Sequence, residues 1–254
     1  MHSRSLIIFF SLLISFCSCA EAKVTNYGVK VVKEYPHDVE AYTQGLFFHE
    51  GNFYESTGQN GRSSFRKVDL NTGKPIEMFG INKKYFGEGS VIFEDNLYIL
   101  TWESKVAFIY DAKTLKYKST VSYPRQGWGL TTDGKELIAS DGSSTLYYMD
   151  KNMTVTKRVT VKLDGRPIRM LNELEYINGK IWANVYMTDL ILIINPSTGN
   201  VEATVDCTGL LAQKYHKPET DVLNGIAYNP KTKAIYLTGK NWPLLFQIEL
   251  VERK

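Results

Sequence analysis

Glu88 is the one carboxylate among five residues that open equivalent segments of this chain, and proton transfer is the chemistry it would do. The five are Gln44, Glu88, Trp128, Asn172 and Asn224, at intervals of 44, 40, 44 and 52 residues. Advancing 14 positions from the first four reaches Gly58, Trp102, Gly142 and Tyr186; advancing 16 from the fifth reaches Lys240. If both sets face one opening, a carboxylate and an ammonium lie among two tryptophans, a tyrosine and several amides. Apolar walls raise a carboxylate's pKa while a nearby lysine lowers it, which makes Glu88 tunable for proton transfer near neutrality. A lysine close to a carboxylate is held in its charged form, so Lys240 reads as a group that holds or polarises a substrate. Each opening residue also has a plain structural reading, as a turn residue or a bond to the neighbouring segment. Glu88 lies between Gly87 and Gly89, and Trp128 between Gly127 and Gly129, small neighbours that leave the backbone open to a ligand.

The elements that must carry these residues are short strands. Each opening residue leads into an apolar run, then a turn, then a second run. The second runs contain Phe53-Tyr54, Leu97-Tyr98, Leu137-Ile138, Ile181-Trp182 and Ile235-Tyr236. A third element in the first four segments ends in a turn sequence, at Asp69 to Gly73, Asp111 to Thr114, Asp150 to Met153 and Asn195 to Gly199. A repeat of about 40–50 residues built this way predicts an all-β, five-bladed β-propeller with one four-stranded sheet per repeat. Equivalent positions in a closed ring face the same axis, so the five openings should converge at one mouth. The last repeat lacks a fourth strand. Val29 to Lys33 would supply it, closing the ring between the N- and C-terminal strands and removing exposed edges. The longest interval contains Leu210 to Tyr215, read as a short helical turn that lies on one face.

Composition bounds the rest. Net charge is +3 with both signs interspersed, so nothing points to a nucleic-acid partner. Residues 1–22 read as an export signal: Arg4, an apolar stretch from Leu6 to Phe16 too short to span a membrane, and a small-x-small site at Ala20-Glu21-Ala22. Residues 23–254 then form a single exported domain, periplasmic if the source is Gram-negative. Lipid attachment at Cys19 is the alternative, and the membrane becomes a partner only in that case. Cys207 is the one internal cysteine left, so no intramolecular disulfide forms. The chain contains no histidine cluster with metal-ligand spacing, no G-x-S-x-G elbow, no P-loop and no dinucleotide fingerprint.

Nine ordered strings carry a family resemblance. They are Tyr42-Thr43-Gln44-Gly45-Leu46, Phe86-Gly87-Glu88-Gly89, Leu100-Thr101-Trp102, Gly127 to Gly134, Ser140 to Ser144, Leu171 to Tyr176, Trp182-Ala183-Asn184-Val185, Leu223 to Ala227 and Thr238 to Pro243. From about residue 36 to residue 250 the chain resembles the plant and bacterial type of glutaminyl cyclase, a five-bladed propeller unrelated to the zinc-dependent animal enzyme. The resemblance implies cyclisation of an amino-terminal glutamine to pyroglutamate with release of ammonia. It implies Glu88 as general acid/base, Gln44, Asn172 and Lys240 as polar partners of the substrate, and Trp102 and Trp128 as pocket wall. Tyr42 stands where the plant pattern has phenylalanine, and Tyr186 where it has tryptophan; both keep an aromatic face and add a hydroxyl. The expected partners are peptides and proteins with amino-terminal glutamine, acted on by a monomer. No cofactor is required for catalysis, and a structural calcium stays open. Two rivals belong to other classes. One is a propeller that binds peptides or glycans without turnover. The other is a calcium-dependent lactonase-like hydrolase using Glu88, Asn172 and Asn224 as oxygen ligands.

Overall fold

The computed structural model describes residues 23–253; the export signal read over 1–22, with Cys19, lies outside the described residues. The chain is all-β. β1 (Thr25–Pro36) comes first. Two four-strand meanders follow: β2 (Thr43–His49), β3 (Asn52–Thr57), β4 (Ser64–Val68) and β5 (Pro75–Gly80), then β6 (Gly87–Phe93), β7 (Asn96–Thr101), β8 (Val106–Asp111) and β9 (Tyr117–Ser122). The third is β10 (Leu130–Thr132), β11 (Leu137–Ala139), β12 (Thr145–Met149) and β13 (Val155–Thr160). A two-stranded hairpin, β14 (Lys162–Leu163) and β15 (Arg166–Pro167), had no counterpart in the repeat pattern. Then come β16 (Leu171–Ile177), β17 (Lys180–Val185), β18 (Leu190–Ile194) and β19 (Val201–Asp206), and finally β20 (Leu223–Asn229), β21 (Ala234–Gly239) and β22 (Leu244–Glu252).

The first three meanders are separate four-stranded sheets, while β16–β22 and β1 form one eight-stranded sheet. That sheet is two four-stranded units joined along a seam. β1 is the outer strand of the last unit, antiparallel to β22 from Tyr27↔Glu252 to Pro36↔Leu244. It also runs parallel to β19 from Thr25↔Ala203 to Gly28↔Asp206, which ties the fourth unit to the fifth. Val29 to Lys33 therefore pairs as expected, with the parallel seam an addition that periodicity could not reveal.

Local sequence explains the turns. Asn178 and Gly179 both have positive φ, 49° and 81°, the combination a two-residue hairpin turn requires. At the third turn Asp69 Oδ1 accepts the N–H and hydroxyl of Thr72 at 2.8 and 2.9 Å, and Asp111 Oδ1 does the same for Thr114 at 2.8 Å each. The first strands of the units pack side by side in the cycle β2, β6, β10, β16, β20 and back to β2. β6 is buried at every residue, whereas the outer β5 is almost wholly exposed.

In four of the five units a glycine after the opening residue permits this approach. A Cβ on Gly45 would sit 2.7 Å from the Ser90 nitrogen, one on Gly89 2.5 Å from the Trp128 carbonyl, and one on Gly129 2.0 Å from the Asn172 carbonyl. Each glycine is thus the contact point with the next first strand. The fourth unit has Glu173 there instead. Its two oxygens accept the N–H groups of Leu46 (3.2 Å) and Ile226 (2.9 Å), so one carboxyl bridges β16 to both β2 and β20.

The insertion after β19 differs from expectation. Only Gln213–Tyr215 form a turn of 3-10 helix, and Leu210 and Leu211 are buried in the core that packs the fourth and fifth units together. Cys207 is buried in the same core, as a small apolar residue would be.

Candidate active site

Seven of the residues singled out by type and spacing line one cavity of about 170 Å³, namely Gln44, Glu88, Trp102, Trp128, Asn172, Tyr186 and Lys240, and Tyr42, singled out by the resemblance, lines it with them. Phe86 is the ninth lining residue. Gln44, Glu88 and Asn172 each occupy the second position of a unit's first strand, and Trp128 precedes β10 by two residues. Trp102, Tyr186 and Lys240 each directly follow a second strand. Adjacent antiparallel strands bring a first strand's start and its partner's end to the same edge, so both registers meet at one mouth. A larger surface cavity, about 400 Å³, lies among Lys23, Lys162, Asp164 and Glu202 and includes none of the repeat positions.

Glu88 is 4% exposed. Its carbonyl accepts the Ser56 hydroxyl at 2.7 Å, which fixes the backbone. Burial pushes the carboxyl's pKa well above the ordinary range, and the charge of Lys240 offsets only part of that. The neutral acid is thus more favoured than it would be for an exposed carboxyl. Lys240, 3% exposed, lies with Nζ 4.8 Å from the ring centre of Tyr42 and 4.7 Å from that of Tyr186. Burial lowers its pKa, while Glu88 and Asp221 act in the opposite direction without prevailing. At both groups desolvation sets the direction of the shift, and the attraction between them opposes it. The loop after Lys240 is pinned to the segment before Tyr42 by Asn241, whose backbone N–H donates to the Ala41 carbonyl at 2.8 Å and whose side chain donates to that of Val39 at 2.7 Å.

The walls are placed by absent side chains. A Cβ on Gly58 would strike the Phe86 ring at 2.3 Å, and one on Gly142 the Trp128 indole at 2.7 Å. These two glycines belong to the second register; they make room for the aromatics beside them. The Tyr42 hydroxyl, absent from the plant pattern, donates to Asp221 Oδ2 at 2.8 Å. Burial, chiefly, and then Asp221 push that hydroxyl's pKa up.

Asn224 does not line the cavity. It is fully buried, and its Nδ2 donates to the Thr43 carbonyl at 2.9 Å and to Gln44 Oε1 at 3.3 Å. It orients Gln44, leaving that residue's amide N–H groups free of Asn224. Phe86, Gln126 and Asp221 escaped sequence reasoning. Phe86 directly precedes Gly87, so adjacency to a glycine-flanked carboxylate is the available signal. Gln126 and Asp221 lie in loops outside the repeat register and gave none.

Among the described residues no three His, Cys, Asp or Glu side chains cluster closely enough to hold a metal ion. Asn224 does not line the cavity with Glu88 and Asn172; its Nδ2 is engaged by Thr43 and Gln44, while its buried Oδ1 has no hydrogen-bond partner. The arrangement joins a carboxyl with a raised pKa, a lysine and amide donors inside an aromatic enclosure, which suits proton transfer to a group held out of water.

Fold and site together define an all-β protein of the cyclotransferase class. The sequence profile of the glutamine cyclotransferase family matches residues 6–250, and the chain belongs to that family. It is 44% identical over 229 residues to the glutaminyl-peptide cyclotransferase of Arabidopsis thaliana, covering 87% of this chain and 71% of the plant protein. The crystal structure of Myxococcus xanthus glutaminyl cyclase superposes with a TM-score of 0.85 at 35% identity, covering 91% of this chain and all of that one.

Proposed function

We propose that this chain is a glutaminyl-peptide cyclotransferase in which Glu88 moves the proton. The observation that carries the reading is the Glu88 carboxyl, buried and unpaired beside Lys240 in a cavity built from the repeat positions of a glutamine cyclotransferase. The cycle of first strands supports the five-bladed propeller as its frame.

The substrate's α-amine attacks the δ-carbon of its own side-chain carboxamide. A C–N bond forms, the bond to the amide nitrogen breaks, and pyroglutamate and ammonia result. Ring closure within one residue needs orientation more than a strong nucleophile. The amine must be neutral to attack, and with a reference pKa of about 7.7–8.0 part of it already is near neutrality. Glu88, resting as the acid, gives its proton to the departing nitrogen and takes one from the ring nitrogen, ending as it began. Lys240, Gln44 and Asn172 offer N–H groups to the oxygen that gains charge. The aromatic walls hold the substrate and exclude the water that would deamidate it. No metal or other cofactor enters this scheme.

The matching test uses purified residues 23–254 and a glutamine-initiated dipeptide. Ammonia and pyroglutamate should form, and neither should form from the N-acetylated peptide. Equal ammonia release from the acetylated peptide would mean simple deamidation, and binding without turnover would favour the non-catalytic rival. We further propose that the protein is exported by its first 22 residues and acts as a monomer, with lipid attachment at Cys19 as the alternative.

A further inference from the structure

The cavity's aromatic residues form a nearly closed circuit. Tyr42 meets the Phe86 ring edge-on at 6.2 Å and 87°, Phe86 meets Trp102 at 5.6 Å and 62°, and Trp128 meets Tyr186 at 5.5 Å and 82°. Lys240 joins Tyr186 back to Tyr42 through the two ring faces it touches. One junction is left, between Trp102 and Trp128, and among the described residues no ring contact closes it. Gln126 lies there: its Oε1 accepts the indole N–H of Trp102 and that of Trp128, each at 3.1 Å. An indole nitrogen only donates, so the atom shared by the two indoles must be the amide oxygen, and both of its lone pairs are used.

We infer that Gln126 is a positioning residue for the cyclisation, the clasp that holds Trp102 and Trp128 in one wall around the substrate's glutamine. The backbone on either side is fixed. Gly127 N–H donates to the carbonyls of Thr101 (3.0 Å) and Trp102 (3.2 Å). The Arg125 guanidinium lies 4.9 Å from the ring centre of Tyr123 and 4.4 Å from that of Tyr147. Trp102 is 38% exposed and stands at the rim, where packing alone restrains it least, so its hydrogen bond to Gln126 matters most there. The residue lies between β9 and β10, outside both repeat registers.

The test compares Gln126→Met, which fills similar space and accepts nothing comparable, with Gln126→Glu, which keeps oxygen acceptors at the same reach. The chain has four tryptophans, so indole N–H resonances in an ¹⁵N-labelled sample are few enough to assign. In Gln126→Met the Trp102 and Trp128 signals should move upfield together. Trp242, whose indole donates to the Asp221 carbonyl at 2.8 Å, should not move. KM for a glutamine-initiated dipeptide should rise about tenfold, the size of losing two ordinary hydrogen bonds, with kcat falling less. Gln126→Glu should retain both indole shifts and most of the affinity. Gln126→Asn, too short to reach both indoles, repeats the test if the methionine variant fails to fold. Unmoved indole signals would overturn the clasp, as would moved signals with unchanged KM, or a glutamate variant that behaves like the methionine one. The KM arm rests on the cyclotransferase reading and the indole arm does not: a wild type that releases no ammonia sinks the activity and leaves the resonances to judge the contact.

Discussion

At the scale of residues, the site depends on two groups whose ordinary charges are made costly. Glu88 and Lys240 are both buried, and for each the loss of water outweighs the attraction of the other. A carboxyl raised this way reduces stability above its ordinary pKa, because the folded state holds a proton that the unfolded chain would release. Glu88→Gln should therefore melt at or above the wild-type temperature at neutral pH while turnover falls by roughly 10²–10⁴. Normal turnover in a folded Glu88→Gln would make Glu88 a turn residue. The pH profile of kcat/KM should be bell-shaped. One limb belongs to the substrate's amine and should move with it when a less basic substrate is used. The other belongs to Glu88 and should be missing from the variant. A profile indifferent to the substrate's pKa would rule out attack by the neutral amine.

At the scale of elements, β16 carries a second pair of buried carboxyls that the chemistry does not use. Glu173 bridges three first strands, and Glu175 accepts the Tyr228 N–H at 3.1 Å. Burial raises the Glu175 pKa to about 8, against the lowering effect of its hydrogen bonds. A raised carboxyl contributes a stability that declines from its unfolded pKa upward, so wild-type stability should fall between about pH 4.5 and pH 8. One proton of difference corresponds to a slope of about 1.4 kcal/mol per pH unit. Glu175→Gln keeps the acceptor and removes the titration. Denaturant midpoints at pH 5 and pH 8 should therefore lie closer together in this variant than in the wild type. An unchanged gap would mean that Glu175 does not titrate in that range.

At the scale of the whole molecule, the ring is closed by hydrogen bonds, with β1 bonded to β22 on one side and β19 on the other. His37, which follows β1, fastens the same joint. Its Nδ1 lies 2.7 Å from the Trp242 carbonyl and its Nε2 3.0 Å from Glu55, so both ring nitrogens are placed to donate in the protonated form. Burial alone would lower its pKa, but the charge and hydrogen bond of Glu55 prevail and raise it. The stability this pair contributes is thus fully present below about pH 6.5 and is lost as pH rises through the raised value. Removing residues 1–36 would expose long edges on β19 and β22. The truncated chain should lose its cooperative calorimetric transition and self-associate on a sizing column. A monomer with unchanged melting would show that the ring closes without β1.

What the sequence determined by itself is what repeats. Opening residues near 44-residue spacing, each followed by a strand, a turn and a second strand, specify the all-β units and both registers of the mouth. Neighbouring strands share an edge by construction, so those positions could be brought together on paper. Tertiary structure decided what depends on packing between units. It buried Asn224 against Gln44 instead of in the cavity lining, put Glu173 where the other units have glycine, and brought Gln126 and Asp221 to the wall from loops that follow no period. It also set the direction in which the pKa values of Glu88 and Lys240 move. A pKa is a balance of desolvation against charge, and both depend on how completely the units close around a side chain, which no spacing along the chain records.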